Sequence, residues 1–108
     1  MTAPFVQSVR ARREPIRVGA GGNGRLLNLR VQIPEVWDVV QVLAPETAPV
    51  LEVKTAALGA LLPRAEEIGY VMKLRGWEVL DEGQSIADVG ALDGSIFLLT
   101  NRRRRPVR

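Results

Sequence analysis

The chain has neither cysteine nor histidine. Without cysteine, disulfide bonds and thiolate metal sites are excluded. Without histidine, the commonest general base and the commonest metal ligand are missing, so catalysis would depend on lysine, tyrosine or carboxylate groups. The adjacent carboxylates at 66–67 and 81–82 are more simply explained as solvated charge in loops. We therefore expect no enzyme activity, no cofactor, no metal ion and no small-molecule substrate.

Long apolar runs are also missing, since no stretch approaches the about 20 residues that a membrane-spanning helix needs. The first residues contain no apolar segment of the kind found in secretory signals. Hydrophobic residues nevertheless make up 46% of the 108 residues, which is enough for one small domain with a single core. We expect a cytoplasmic, monomeric protein without a membrane span.

Charge is unevenly distributed along the chain. Five arginines and one glutamate lie in residues 1–25, five arginines lie in residues 102–108, and the intervening residues 26–101 hold eleven acidic and five basic residues. The glycine-rich run at 19–24 resists ordering, because glycine loses the most backbone entropy on folding. The sequence thus predicts three parts: a flexible, basic and glycine-rich N-terminal extension (1–24), a folded domain (25–101) and an arginine-rich C-terminal tail (102–108).

The pattern of apolar residues predicts a hairpin followed by a helix. Residues 27–33 alternate between apolar and polar, and a β-branched and aromatic run follows at 36–43, which is typical of two antiparallel strands. Later apolar residues recur every three or four positions and indicate an amphipathic helix that begins after an N-cap at Thr47 and ends before Pro63. Residues 15–18 are a candidate for a short edge strand within the extension.

The second half of the chain predicts shorter elements. Residues 70–74 and 77–80 flank the turn Arg75-Gly76 and indicate a short hairpin. Ser85 is placed to cap a single helical turn. The almost unbroken apolar run at 95–100 is typical of a central strand. Together these elements predict an α+β domain in which a mixed sheet of four to five strands packs on one main α-helix.

The order of these elements resembles the β-grasp fold of the ubiquitin-like family, and several segments are similar in sequence. Gly76 follows a strand, as the glycine in the Phe-Ala-Gly-Lys of ubiquitin does. The Leu-Glu-Asp-Gly-Arg-Thr-Leu-Ser-Asp of ubiquitin is similar to residues 80–88, Leu-Asp-Glu-Gly-Gln-Ser-Ile-Ala-Asp. Its Ser-Thr-Leu-His-Leu resembles residues 95–99, Ser-Ile-Phe-Leu-Leu, and its Val-Glu-Pro-Ser-Asp-Thr resembles residues 42–47, Val-Leu-Ala-Pro-Glu-Thr. The likeness covers residues 25–105.

Conjugating members of this family use a C-terminal Gly-Gly, which threads a narrow enzyme channel because it has no Cβ atoms. Here residues 101–108 are Asn-Arg-Arg-Arg-Arg-Pro-Val-Arg. The resemblance therefore implies a non-catalytic interaction module, or adaptor, that is not conjugated by the usual route. Small bacterial ubiquitin-like proteins without Gly-Gly accompany type VII secretion clusters, and the arginine-rich composition suits a bacterial source. Two alternatives stay open: a basic-tailed binder of nucleic acid or another anionic partner, and a modifier in a bacterial conjugation-type pathway with atypical C-terminal processing.

The resemblance also suggests where a protein partner would bind. In ubiquitin an apolar patch on the sheet face receives most partners, and the matching positions here are Lys73 and Thr100, which are not apolar. Trp37 and Trp77 are alternative anchors; core or half-buried packing is the simpler expectation for both, and exposure is expected for Trp77 before Trp37. The tail arginines would bind an anionic partner, stay solvated, or fold back on the acidic domain. The candidate partner-binding residues are Lys73, Trp77, Thr100, Arg102, Arg103, Arg104 and Arg105.

Overall fold

A computed structural model describes residues 15–19 and 24–102 of the chain. These residues form one helix, α1, and one mixed sheet whose strands lie in the order β1-β3-β2-β6-β4-β5. The predicted α+β class with one main helix is confirmed, and the described sheet has six strands instead of four to five. The elements are β1 (Ile16–Arg17), β2 (Leu26–Ile33), β3 (Asp38–Pro45), α1 (Val50–Leu61), β4 (Tyr70–Leu74), β5 (Trp77–Glu78) and β6 (Ile96–Asn101).

The predicted hairpin is formed by β2 and β3, which pair antiparallel along their whole length. The alternation of apolar residues in β2 becomes an alternation of burial, with every second side chain in the core. β6 lies between β2 and β4, parallel to the first and antiparallel to the second, so the apolar run at 95–100 is a central strand as predicted. Phe97 and Leu99 of β6 are fully buried, and α1 covers this inner face of the sheet.

The sequence pattern predicts that the folded domain begins at residue 25. In the structure, the sheet also includes a strand that precedes this residue. β1 pairs parallel with β3, with Ile16 opposite Val42, and forms the edge strand for which residues 15–18 are a candidate. Gly19 ends this segment with a φ of 68°, and a Cβ at that position would lie 2.8 Å from Cγ of Pro45. Only glycine fits this close approach, so at least one residue of the glycine-rich run has a packing role.

The helix begins later than the sequence predicts. Its N-cap is Pro49, not Thr47, and the side chain of this N-cap residue makes no capping hydrogen bond. Instead, the backbone N–H groups of Val50 and Leu51 donate to the carbonyl oxygens of Gln84 and Glu82, both at 2.9 Å. Backbone carbonyl groups of a distant segment thus accept from the N–H groups that a capping side chain usually satisfies. The local sequence therefore did not indicate where the helix begins.

The segment from 80 to 95 links β5 to β6 and is anchored to the rest of the domain by hydrogen bonds. Ile86 is fully buried, and its N–H donates to the carbonyl oxygen of Ala48 at 2.9 Å. Ser85 Oγ accepts from the N–H of Asp88 as predicted, although the residues that follow form turns and not a helix. At the far end, Asp93 Oδ1 accepts from the N–H of Asn28 at 2.8 Å, so this turn is attached to β2.

A buried ion pair joins α1 to the same segment. Lys54 is only 2% exposed, and its Nζ lies 3.0 and 2.9 Å from the two carboxylate oxygens of Glu82. The prediction that the carboxylates at 81–82 are solvated charge is therefore wrong for Glu82, which is 21% exposed and is committed to the lysine. Sequence reasoning missed the pair because its members are 28 residues apart.

Replacing Lys54 tests how much of the fold depends on this pair. We expect Lys54→Met to lower the free energy of unfolding by about 3 kcal/mol, because it leaves the Glu82 carboxylate without its partner in a mostly buried site. Urea unfolding followed by circular dichroism measures the loss. The matched control Glu52→Gln changes an exposed carboxylate on the same helix and should shift stability by less than about 0.5 kcal/mol. A Lys54→Met variant as stable as this control would contradict the assignment.

Candidate functional site

The face of the sheet that points away from α1, here called the outer face, is the largest strand surface left uncovered by the helix. In each long strand, the residues that alternate with the buried ones point to this face. It is mixed in character, because partly exposed aliphatic side chains lie among amides and cations. Its central residues are Val39 and Gln41 on β3, Arg30 and Gln32 on β2, Ile96, Leu98 and Thr100 on β6, and Val71 and Lys73 on β4.

The structure brings two of the predicted site residues together on this face. Lys73 lies opposite Leu98, and Thr100 lies opposite Val71, so both belong to the neighbouring strands β4 and β6 and point the same way. Both are half-buried. At both positions a polar side chain stands where the resemblance places an apolar one, and the two positions are neighbours on one surface. Whether a partner contacts them stays a prediction.

Arg102 lies across β4 on the outer face. Its Nε donates to the carbonyl oxygen of Ile68, which precedes β4, at 3.3 Å. Its Nη1 lies 3.8 Å from Oε2 of Glu78 on β5, at the other side of β4. Beneath this span Val71 points to the outer face and is only 2% exposed, which we attribute to cover by the aliphatic stem of Arg102. The first tail arginine thus packs on the domain, while Arg103, Arg104 and Arg105 lie outside the described residues.

The outer face carries a positive charge. Arg17, Arg30 and Lys73 all belong to it by strand register. The described strands contain two acidic residues, of which Asp38 lies opposite buried Ile33 on the inner face and Glu78 is paired with Arg102. A domain with an excess of acidic residues therefore has a basic face.

Trp77 does not belong to this face. It lies opposite Leu74, a core residue, whereas its neighbour Glu78 lies opposite Lys73, so the indole is on the helix side of the sheet edge. Trp77 is 79% exposed, and the equally prominent Leu80 is 87% exposed. Trp77, for which exposure is expected before Trp37, is exposed, so the simpler expectation of core or half-buried packing is wrong for it. Trp77 thus forms a second surface, separate from Lys73 and Thr100.

Trp37 corrects the expectation of core packing. It is 86% exposed and stands in the turn between β2 and β3, after the 3-10 turn Pro34–Val36. Its φ of 53° lies in the left-handed region, which is a rare conformation for a bulky residue. The clue in the sequence was Pro34, which interrupts the alternation and leaves Trp37 inside the turn. An exposed aromatic side chain held on strained backbone is typical of a binding position.

We expect Trp37→Asn to stabilise the protein by about 1 kcal/mol, because asparagine tolerates the left-handed conformation and little buried surface is lost. Urea unfolding measures the change. The control Trp77→Asn removes an equally exposed indole from a position without positive φ, and it should give no gain. If Trp37→Asn destabilises the protein, the side chain contributes to folding and the argument for a binding role fails.

Neither a metal cluster nor a membrane-spanning helix is found among the described residues. Among them no group of three or more acidic residues is close enough to hold a metal ion. Nor does this part of the chain include a helix of the length and apolar character needed to cross a membrane.

A side-chain hydrogen bond joins β4 to the turn that holds Trp37. The hydroxyl group of Tyr70 donates to Oε1 of Glu35 at 2.6 Å. This contact holds the turn at the end of the sheet at which β6 also ends.

Comparison with known proteins gives matches in structure but not in sequence. No protein-family model and no curated protein matches the chain. The C-terminal ubiquitin-like domain of mouse tubulin-specific chaperone e is 19% identical with a TM-score of 0.64, over 83% of this chain and 99% of that one. Caldiarchaeum subterraneum ubiquitin is 14% identical with a TM-score of 0.63, over 77% of this chain and 98% of that one. The ubiquitin-like domain of Plasmodium falciparum Dsk2 is 16% identical with a TM-score of 0.61, over 71% and 99%.

These proteins come from an animal, an archaeon and a protist, and they agree in architecture although their identity to this chain is below 20%. Each is matched over nearly its whole length, so the likeness concerns a complete domain. The resemblance inferred from scattered sequence segments is therefore confirmed at the level of the fold: the chain has the ubiquitin-like β-grasp fold.

Proposed function

We propose that this chain is a non-catalytic interaction module, an adaptor that binds a protein partner through the outer face of its sheet. The observation that carries the proposal is the composition of that face. Half-exposed Val39 and Ile96 supply apolar contact area, and Arg30 and Lys73 stand beside them. Known structures with the same fold are ubiquitin-like domains, which supports a role in binding.

The charge of the outer face indicates what kind of segment it binds. A partner that covers Lys73 and Arg30 has to supply carboxylates, because a buried cation without a counter-charge is costly. Apolar side chains of the partner would pack on Ile96 and Leu98 between these cations. The best match is a segment in which acidic and apolar residues alternate or share one helix face. Electrostatic attraction would also speed its association at low salt.

The proposed adaptor is not conjugated to other proteins by the usual route. Arginines follow β6 where conjugating relatives have a flexible glycine-containing tail, and the first of them, Arg102, contacts Ile68 and Glu78. A side chain of that size, bound to the domain, does not suit a narrow enzyme channel. A modifier with atypical processing is the alternative that this argument disfavours.

Two wider assignments belong to this proposal. A bacterial source suits the composition, which has thirteen arginines against two lysines. A role beside type VII secretion proteins follows from the likeness to small ubiquitin-like proteins that lack Gly-Gly. Genes for secretion ATPases next to this one would support that role, and genes for activating and conjugating enzymes would favour the modifier instead. A cytoplasmic location and a monomeric state stay predictions.

Charge reversal on the outer face tests the proposal. We expect Lys73→Glu to release the protein partners that the wild-type chain retains in a cross-linked pull-down from its own cells, because it repels the partner's carboxylates. The matched control Arg64→Glu makes the same charge change at an exposed position outside the sheet and should leave recovery unchanged. Circular dichroism of both variants establishes that they are folded.

Two outcomes of this pull-down would contradict the proposal. Equal recovery by Lys73→Glu and the wild type would remove the outer face from the interaction. Recovery of nucleic acid alone, lost when the tail arginines are replaced, would favour the basic-tailed binder of anionic partners.

A further inference from the structure

The side of α1 that faces solvent has few charged residues for a surface helix. Only two of its twelve residues, Glu52 and Lys54, carry a charge, and Lys54 is buried. The solvent side of such a helix normally carries charged and polar residues, which resist burial by another chain. The other residues on this side are small or apolar, namely Leu51, Thr55, Ala56, Gly59 and Ala60. Another chain that packs on this side would therefore remove little polar surface from water.

A groove of about 650 Å³ lies on this side of the helix. It is lined mainly by apolar atoms, and the end of the β1 segment and the turn at Gly83 contribute to its walls. Leu51, which lines it, is 40% exposed. A large aliphatic side chain that is open to water in a concave surface is typical of a place where another chain packs. The groove is here called the α1 groove and is defined by Val18, Leu51, Glu52, Thr55, Ala56 and Glu67.

Two carboxylates stand at the α1 groove, about one helical turn apart. Glu52 and Thr55 are three residues apart, so they are neighbours on the helix surface. Thr55 Oγ1 donates to Oε2 of Glu67 at 2.8 Å, which holds the second carboxylate beside this position. Oε1 of Glu52 lies 3.8 Å from where a Cβ of Gly19 would be, so the first carboxylate leans toward the β1 segment. Within residues 15–19 and 24–102, neither carboxylate forms an ion pair with a lysine or an arginine.

We propose that the α1 groove binds a cationic segment of a partner protein, in which arginine or lysine alternates with aliphatic residues. The aliphatic side chains and the stems of the cationic ones pack on Leu51 and Ala56, and the charged groups reach Glu52 and Glu67. Charge selects this occupant, because the described lining contains two carboxylates and no cation. The outer face of the sheet has the opposite charge, so the inference does not depend on the function proposed above. An adaptor with both surfaces would hold two segments of opposite charge at once.

Titration of the ¹⁵N-labelled full chain with a peptide, followed by NMR, tests the proposal. The probe is the acetylated and amidated peptide Ala-Leu-Arg-Leu-Arg-Ala. In the matched control peptide, citrulline replaces both arginines, which keeps their size and shape and removes their charge. We expect the arginine peptide to shift the amide signals of Leu51, Thr55 and Ala56. The citrulline peptide should bind about tenfold more weakly, because it forms neither charge pair with the groove.

Variants of the chain locate the charge pairs. Glu52→Gln and Glu67→Gln should each weaken binding of the arginine peptide about threefold, since each removes one charge pair at an exposed site. The matched control Glu66→Gln makes the same change one residue from Glu67 but outside the lining of the α1 groove, and it should leave the affinity unchanged. Circular dichroism establishes that all three variants are folded.

Several results would overturn the proposal. One is the absence of any shift of the α1 amides with the arginine peptide, and another is equal binding of the arginine and citrulline peptides. Equal affinity of Glu52→Gln and Glu66→Gln would remove the groove carboxylates from the interaction. Binding that appears only after the arginines in residues 1–14 or 103–108 are replaced would make the chain's own ends the occupant. Shifts of the α1 amides that grow with protein concentration, without peptide, would make a second copy the occupant.

Discussion

A lysine ammonium with almost no solvent exposure needs an anion inside the fold, and much of this structure is arranged around meeting that need. Lys54 lies on the buried side of α1, and Glu82 reaches it from the segment that connects β5 to β6. The carbonyl oxygen of the same Glu82 accepts the N–H of Leu51 in the first helical turn. One residue thus satisfies a buried charge and a helix end at once, which couples the position of the connecting segment to that of the helix.

This coupling also positions the surface proposed to bind a partner. The connecting segment carries Leu80 and Asp81 on one side of Glu82 and delivers the chain to β6 on the other. β6 in turn separates β2 from β4 and so places Leu98 between Gln32 and Lys73 on the outer face. The position of the outer face therefore depends on this coupling.

The parts of the fold that depend on local pattern were predictable from the sequence. Alternation at 27–33 predicted β2 and its buried face, the three- and four-residue spacing predicted α1, and the apolar run at 95–100 predicted the central strand. Contacts between distant residues were not predictable in this way. The helix start depends on the carbonyl oxygen of Gln84, and the burial of Lys54 depends on Glu82. For the candidate site, the placement of Lys73 and Thr100 on one face followed from the resemblance, whereas the exposure of Trp37 was missed although Pro34 marked the turn that holds it.

The central claim is that a protein segment with carboxylates and apolar side chains binds the outer face. The most direct measurement is a map of amide chemical-shift changes in the ¹⁵N-labelled full chain on addition of the partner recovered by cross-linking. The account predicts the largest changes on β6, β4 and β2, around Leu98, Lys73 and Arg30, with α1 unaffected. Changes confined to α1, or to the β5 edge around Trp77, would contradict it.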